Sequence, residues 1–281
     1  MVEQRQREER GPAPWLFLLG VVGWTWAWLA PAVIGGGEGW SVWLIICTAV
    51  GLMGPLVVPA WLIHRGWWDA SLDPTVGHFF RRCVAFGSLN RRWVLALVGL
   101  VALWGWGPLM LEPSVLGDEG LIQVVAPAFI FVGLLGALEE PGWRGYGQEA
   151  LQRRLPVGVA GLVVGLFWAL WHLPLFFIGG TYQHHLGVGT VEFWAFMGAI
   201  AIISPFYAWL YNAAGRAVVA VLLFHGFGNV ARELTPEVSH MATLAVEAAM
   251  TAVVLILSWR WMVKRRGGEG RGLGGEVLEV R

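Results

Sequence analysis

Long runs of apolar residues, separated by short polar stretches, dominate the hydrophobicity pattern of this chain. Apolar runs of about 17–25 residues are long enough to cross a bilayer as α-helices. Eight runs predict spans at approximately 14–34, 40–63, 93–112, 121–140, 157–178, 191–212, 217–230 and 241–262. The seventh run is short, and the glycines beside His225 predict a helix that lines a cavity rather than facing lipid. The expected fold is all-α, a polytopic bundle of about eight transmembrane helices.

Composition agrees with this reading of the pattern. Of the 281 residues, 57% are apolar and only 14% are charged, whereas a soluble domain has about 25% charged residues. Residues 14–262 are expected to form the transmembrane domain, with the chemistry-bearing part at about 120–235. Residues 1–13 are expected to be a cytoplasmic N-terminal tail. Residues 263–281 are charged and Gly-rich and are expected to be a disordered cytoplasmic tail.

The distribution of basic residues predicts the orientation. Cytoplasmic loops carry an excess of Lys and Arg. With the N-terminus inside, 18 of the 19 basic residues fall on the inner side, and only Arg232 falls outside. The expectation is therefore a multi-pass plasma-membrane protein with both termini in the cytoplasm. The formal net charge is zero, and no nucleic-acid partner is expected.

The one sizeable cytoplasmic connection, residues 65–92, mixes aromatic and basic side chains. Trp67 and Trp68 precede Phe79 and Phe80, which are followed by two arginines. This mixture predicts an amphipathic stretch lying in the membrane interface.

The fourth apolar run ends in two adjacent acids followed by an arginine. Glu140 and Arg144 are four residues apart, so on a helix they share a face and are predicted to form a structural ion pair. Glu139 is rotated by about 100° from Glu140 and has no obvious local partner. Alternatively, the three charges mark the cytoplasmic end of a helix. Against that, Pro141 and Gly142 loosen the helix, which a membrane tolerates only where protein or water satisfies the backbone.

Polar residues interrupt two further runs at helical spacing. His172 follows Trp168 by four residues, and His225 precedes Asn229 by four. A lone membrane histidine is often only a hydrogen bond between helices, contributing about 1 kcal/mol. A charged group at mid-bilayer costs about 2.5–3.5 kcal/mol, however, so several such groups on neighbouring spans favour a functional site.

Other candidates are weaker. Glu247 lies near the outer end of the eighth run, where it can reach the surface or bond a neighbouring helix, and it is left outside the site. The adjacent His184 and His185 fall in an outer loop and are expected to be solvated. The sequence contains no HExxH zinc motif and no GxSxG elbow, which weighs against zincin and serine-hydrolase chemistry.

The three polar motifs in this order resemble the CAAX prenyl endopeptidase and bacteriocin-processing family of intramembrane proteases. The family pattern is EExxxR, then an aromatic residue four positions before a histidine, then HxxxN. Here its members are Glu139, Glu140, Arg144, Trp168, His172, His225 and Asn229. Trp168 stands where the family usually has Phe, although Phe167 is adjacent, and this aromatic position is expected to shape the substrate pocket. The resemblance covers about 120–235 and implies an intramembrane endopeptidase.

These side chains are suited to peptide hydrolysis. A carboxylate in a poorly hydrated cleft is a better base, so Glu139 is predicted to activate a water that His172 also holds. His225 and Asn229 would then donate to the oxyanion of the tetrahedral intermediate. This assignment agrees with what the resemblance implies for the matching positions.

A metal-dependent mechanism is the alternative. Two imidazoles and a carboxylate, here His172, His225 and Glu139, also make an acceptable zinc set. Asn is a poor zinc ligand, and Glu139 cannot easily be both ligand and base. A metal-free mechanism without a cofactor is therefore favoured.

The sequence is also compatible with two functions other than a protease. A proton-coupled transporter also uses intramembrane Glu and His, but no repeat symmetry relates the halves of this chain. A non-catalytic peptide-binding or immunity protein would keep the fold without cleavage. For the protease, the expected partners are the bilayer and a membrane peptide or lipidated peptide substrate. The resemblance suggests a prenylated CAAX-type C-terminus or a peptide precursor.

Overall fold

A computed structural model describes residues 10–35, 42–113, 135–233 and 238–265. Helices make up most of this part of the chain, and no strand is found in it. The first five helices are α1 (Pro14–Ile34), α2 (Val42–Leu52), α3 (Gly54–His64), α4 (Val76–Cys83) and α5 (Arg91–Trp106). The next are a π-helix (Pro141–Gln148), α6 (Glu149–Leu151), α7 (Val157–His172), α8 (Tyr182–Leu186) and α9 (Val191–Ala213). The last are α10 (Val218–Glu233), α11 (His240–Leu257) and α12 (Trp259–Met262).

Several of these helices are long and apolar enough to cross a membrane. Five qualify singly, at Pro14–Ile34, Arg91–Met110, Val157–Phe177, Val191–Ala213 and His240–Leu257, and the bent pair α2–α3 makes a sixth. The described part of the chain contains helices and no strand, and its long apolar helices indicate an integral membrane protein. Most of the predicted fourth span, 121–134, lies outside the described residues, as do residues 1–9 and 266–281 of the two tails. The predicted total of eight spans therefore stays a prediction.

The second predicted span is broken rather than continuous. Its two halves, α2 and α3, meet at Met53 with a bend of 52°. Gly54 and Pro55 open α3, and a proline cannot donate the backbone hydrogen bond that would continue α2. The bend brings Pro55 against the π-helix, where a Cβ added to Gly142 would lie 2.1 Å from the Pro55 carbonyl oxygen. Only glycine allows the two backbones to approach this closely.

The helical segment that carries the paired acids does not end at residue 140. A 3₁₀ turn, Ala137–Glu139, leads into the π-helix, which continues into α6. Every residue of the π-helix is buried. Glu139 and Glu140 thus lie inside a continuous helical segment, and their interpretation as charges at a helix end is wrong. Short π-helical segments often occur at functional sites.

Small residues pack α7 tightly against α9. A Cβ on Gly165 would lie 2.5 Å from Cβ of Ser204, and one on Gly161 would lie 2.8 Å from Cβ of Ala208. Pairs of small residues four apart are typical of close helix contacts in membranes. The seam fixes α7, which carries His172, relative to α9.

The connection 65–92 folds onto the bundle. Trp68 and Phe79 are 3% and 0% exposed, so these two side chains pack against protein, and the interfacial position of the connection stays a prediction. Asp73, also buried, organises the loop from within. It accepts hydrogen bonds from Trp68 Nε1 at 3.1 Å and from Arg82 Nε at 3.0 Å. Arg82 in turn reaches the carbonyl of Gly145 in the π-helix.

Candidate active site

The two adjacent acids have different environments. Glu140 is fully buried, and its Oε2 lies 3.3 Å from Nε of Arg144, which is also fully buried. Glu139, one residue earlier, is only partly buried. The predicted proximity of Glu140 and Arg144 is present although the intervening backbone is a π-helix.

Arg144 contacts side chains from two neighbouring helices. Its guanidinium carbon lies 5.4 Å from the ring centroid of Trp168 and 4.9 Å from that of Tyr207, an arrangement in which both aromatic faces attract the cation. Nη1 donates to Ser204 Oγ at 2.9 Å, and Ser204 donates onward to the Gly161 carbonyl at 2.7 Å. The cation that neutralises Glu140 is therefore fixed by both α7 and α9.

Glu140 also contacts His225, which was not expected from the sequence. Nδ1 of His225 lies 2.8 Å from Glu140 Oε1. A carboxylate accepts, so Nδ1 carries the hydrogen, and Nε2 is then a donor only when the ring is an imidazolium. Glu140 is thus more than one half of an ion pair with Arg144, because it also orients His225.

Glu139 has two partners where none was predicted. Its Oε2 accepts a hydrogen bond from Trp168 Nε1 at 2.7 Å and another from Trp143 Nε1 at 3.3 Å. Trp168, expected to shape a pocket, therefore contacts the acid itself. The adjacent Phe167 packs, partly buried, against the hydrophobic core.

His172 is oriented by its own helix. Its Nδ1 lies 2.9 Å from the carbonyl oxygen of Trp168. A carbonyl only accepts, so Nδ1 donates, and Nε2 is the ring atom that can accept a hydrogen from water. The ring stands edge-on to Trp171 and Phe196, with centroids 4.6 and 5.5 Å away.

Asn229 lies one turn after His225 on α10 and faces the segment of the acids. A Cβ added to Gly136 would come within 3.0 Å of its Nδ2. The glycine therefore leaves room for the amide three residues before Glu139. The three predicted motifs converge on one region formed by residues 136–144, α7 and α10.

The region lies well inside the bundle. Trp168 is eleven residues after Val157, the first residue of α7, which corresponds to about 16 Å along the helix at 1.5 Å per residue. Glu139, which accepts from Trp168, is accordingly deeper than the helix end at which the apolar run placed it.

The described residues can be compared with the ligand set of the zinc alternative. In the part of the chain that the structure describes, no group of three His, Cys, Asp or Glu side chains could hold a metal ion. Glu139, His172 and His225 are thus not arranged as a ligand set. Nδ1 of His225 is already engaged by Glu140, and Oε2 of Glu139 is engaged by two indoles.

A second buried polar network was not predicted from the sequence. Glu149 is fully buried and accepts from Tyr211 Oη at 2.9 Å and from Arg216 Nε at 2.8 Å. Gln152 and Asn212, also buried, exchange hydrogen bonds of 2.9 and 3.2 Å. The sequence offered one signal for this network, two polar residues, Glu149 and Gln152, three positions apart after the fourth apolar run. The same spacing is common on an exposed helix surface. This network joins α6 to the end of α9.

Glu247, left outside the predicted site, bonds a neighbouring helix. It is 4% exposed and accepts from Trp104 Nε1 of α5 at 2.7 Å. Bonding a neighbouring helix is one of the two roles predicted for Glu247.

The segment that carries most of these side chains is similar to a known class of proteins. Residues 120–231 match the family model described as Type II CAAX prenyl endopeptidase Rce1-like. A similar protein is the CAAX prenyl protease 2 of Methanococcus maripaludis, 29% identical over 109 residues. That alignment covers 38% of this chain and 40% of the relative. The predicted resemblance to the CAAX prenyl endopeptidase family is confirmed over the segment that carries the motifs.

Proposed function

We propose that this protein is an intramembrane endopeptidase in which Glu139 activates water and no metal takes part. The observation that carries the proposal is the division between the two acids. Glu140 is committed to Arg144 and His225, whereas Glu139 is held by neutral indoles and remains partly exposed. A carboxylate without a bound cation retains the basicity that proton abstraction requires.

The reaction follows from these positions. Glu139 takes a proton from a water that also donates to Nε2 of His172, and the water oxygen attacks the carbonyl carbon of the peptide. The tetrahedral oxyanion accepts hydrogen bonds from His225 and Asn229. Collapse breaks the C–N bond, and Glu139 returns the proton to the leaving nitrogen. One such oxyanion donor contributes about 2.7–4 kcal/mol in well-studied enzymes.

Glu140 has a supporting part in this scheme. Because Nδ1 of His225 donates to Glu140, Nε2 can donate to the oxyanion only from the imidazolium form. The acid predicted to be purely structural would thus also orient an oxyanion donor.

The proposed substrate is a peptide that reaches the site within the membrane, with a prenylated CAAX-type C-terminus as the leading candidate. The printed name of the Methanococcus maripaludis relative supports this choice. Purified protein would be incubated with a farnesylated CAAX peptide and with the same peptide lacking the lipid, and products identified by mass spectrometry. We expect cleavage of the lipidated peptide. Intact recovery of both, and of an unlipidated membrane-spanning peptide, would favour a binding protein or a transporter.

Metal removal is expected to leave the activity unchanged. Protein purified in the presence of a chelator should cleave at the rate of untreated protein, because the scheme uses only side chains. Excess zinc should inhibit, since His172, His225 and Glu139 could be drawn together as ligands. Metal content is measured on the same samples. Stoichiometric zinc whose removal stops cleavage and whose return restores it would refute the metal-free mechanism.

The orientation is proposed to place the site's opening toward the cytoplasm, and accessible cysteines test it. Both native cysteines are buried, and burial raises the pKa of the Cys83 thiol to about 12, so background labelling is low. On intact cells a membrane-impermeant maleimide should label His185→Cys but not Arg81→Cys, and permeabilised cells should show both. Labelling of position 81 alone on intact cells would reverse the orientation.

A further inference from the structure

Two tryptophans donate to the same oxygen of the proposed base. Trp168 on α7 and Trp143 on the π-helix both reach Oε2 of Glu139, at 2.7 and 3.3 Å. Both indoles are buried, with 4% and 0% exposure. An indole N–H can only donate, so both contacts favour a carboxylate over a protonated acid.

Packing fixes both rings in this arrangement. Trp143 stands edge-on to Phe17 and Trp171, at centroid distances of 5.9 and 6.2 Å. Trp168 stands edge-on to His225 and Tyr207, at 5.3 and 5.5 Å. Neither donor can turn away without disturbing its neighbours.

We propose that Trp168 and Trp143 are positioning residues that occupy Oε2 of Glu139 and leave Oε1 as the atom that takes the proton from water. The inference rests on the proposed function, since it assigns a role relative to that base. It gives Trp168 a specific task, the donation of an N–H, that a phenylalanine at this position could not perform. Fixing the rotamer also aligns Oε1 for proton transfer, which depends steeply on geometry.

The two donors have a consequence for pH dependence. A hydrogen bond to the charged form of an acid favours that form, so removing one indole donor should displace the acid limb of the activity profile. The ionisable groups that interact with Glu139 are Glu140 and Arg144 on its own segment, Tyr207 on α9 and His225 on α10. His172 lies one turn beyond Trp168 on α7. Helix α3, which also packs on this segment, has no ionisable side chain before His64. None of these groups changes when an indole is replaced by a phenyl ring.

The test is the pH profile of kcat/KM for Trp168→Phe. The substitution keeps an aromatic ring and removes the donor, so the acid limb should move to higher pH by about one unit, a tenfold loss on the acid side. The plateau at higher pH should be much less affected. Trp143→Phe should produce a smaller displacement in the same direction, and it provides a second test if Trp168→Phe does not fold.

Trp68→Phe is the matched control. Trp68 lies in the connection 65–92, is 3% exposed, and donates to Oδ2 of Asp73, an acid outside the site, at 3.1 Å. It loses a buried indole hydrogen bond and should keep the wild-type pH profile, whatever its thermal stability. An acid limb that coincides for wild type, Trp168→Phe and Trp143→Phe overturns the inference.

The outcome also separates this inference from the proposed function. If wild type cleaves, Glu139→Gln does not, and the profiles of the tryptophan variants coincide with wild type, only the positioning role fails. If Glu139→Gln still cleaves, or wild type cleaves no peptide, the proposed function fails and the positioning role fails with it.

Discussion

Glu139→Gln is expected to abolish peptide cleavage and to leave the fold intact. Removing a general base typically lowers the rate by about 10²–10⁴-fold. The amide oxygen of glutamine can still accept from Trp168 and Trp143, so the packing around position 139 should be retained. Cleavage is measured by mass spectrometry of the peptide products, and thermal unfolding is measured in detergent on the same preparations.

The control for this variant is the same substitution at an acid outside the site. Glu192 is 41% exposed at its side chain and pairs with His240. Glu192→Gln should cleave at the wild-type rate. A Glu139→Gln protein that retains more than about a tenth of wild-type activity would show that another group activates the water.

Arg144→Ala is expected to cause the largest loss of stability. Breaking a buried ion pair by removing one partner costs about 3–5 kcal/mol, because the remaining charge is buried without compensation. Here Glu140 would keep only His225, and Trp168 and Tyr207 would lose the cation between them. We expect a marked fall in melting temperature and in the yield of folded protein, together with lost activity.

Two further variants check the cause of that loss. Arg260, exposed on α12, provides a charge control, and Arg260→Ala should unfold at the wild-type temperature. The double variant Glu140→Gln/Arg144→Met removes both charges and should recover part of the stability, since replacing a whole buried pair is far less costly than breaking it. Equal melting temperatures for Arg144→Ala and Arg260→Ala would contradict the structural role of Arg144.

The parts of the structure that depend on local sequence could be predicted. Hydropathy alone locates α1, α5, α7, α9 and α11 to within a few residues, because a lipid-spanning helix needs about 20 apolar residues whatever it packs against. The Glu140–Arg144 proximity was predictable for the same reason, since it depends only on a spacing of four along one helical segment.

The contacts that distinguish the two acids could not be predicted in this way. Trp168 is 29 residues from Glu139, and His225 is 85 residues from Glu140, so their approach depends on how separate helices pack. The same limit applies to the continuation of the acid-bearing helix. Pro141 and Gly142 indicate a helix end locally, but the contact of Gly142 with Pro55 stabilises a π-helix there instead. Likewise, the sequence around Glu149 and Gln152 has the polar pattern of a surface helix. Their hydrogen-bond partners Tyr211 and Asn212 come from α9, so their burial depends on how α9 packs.

In the proposed protease, the depth of Trp168 along α7 would limit which polypeptides can be cut. If Trp168 lies at mid-membrane, a substrate entering from either face would have to cross about 15 Å, half of a hydrocarbon core of about 30 Å, before its scissile bond reached Glu139. An extended chain advances about 3.3 Å per residue, so about five residues would have to be unfolded and threaded between helices. A compact domain could therefore lie no closer than about five residues to the cleavage point. Selection among substrates would then begin with the length of free chain a protein can offer, before any side chain is recognised.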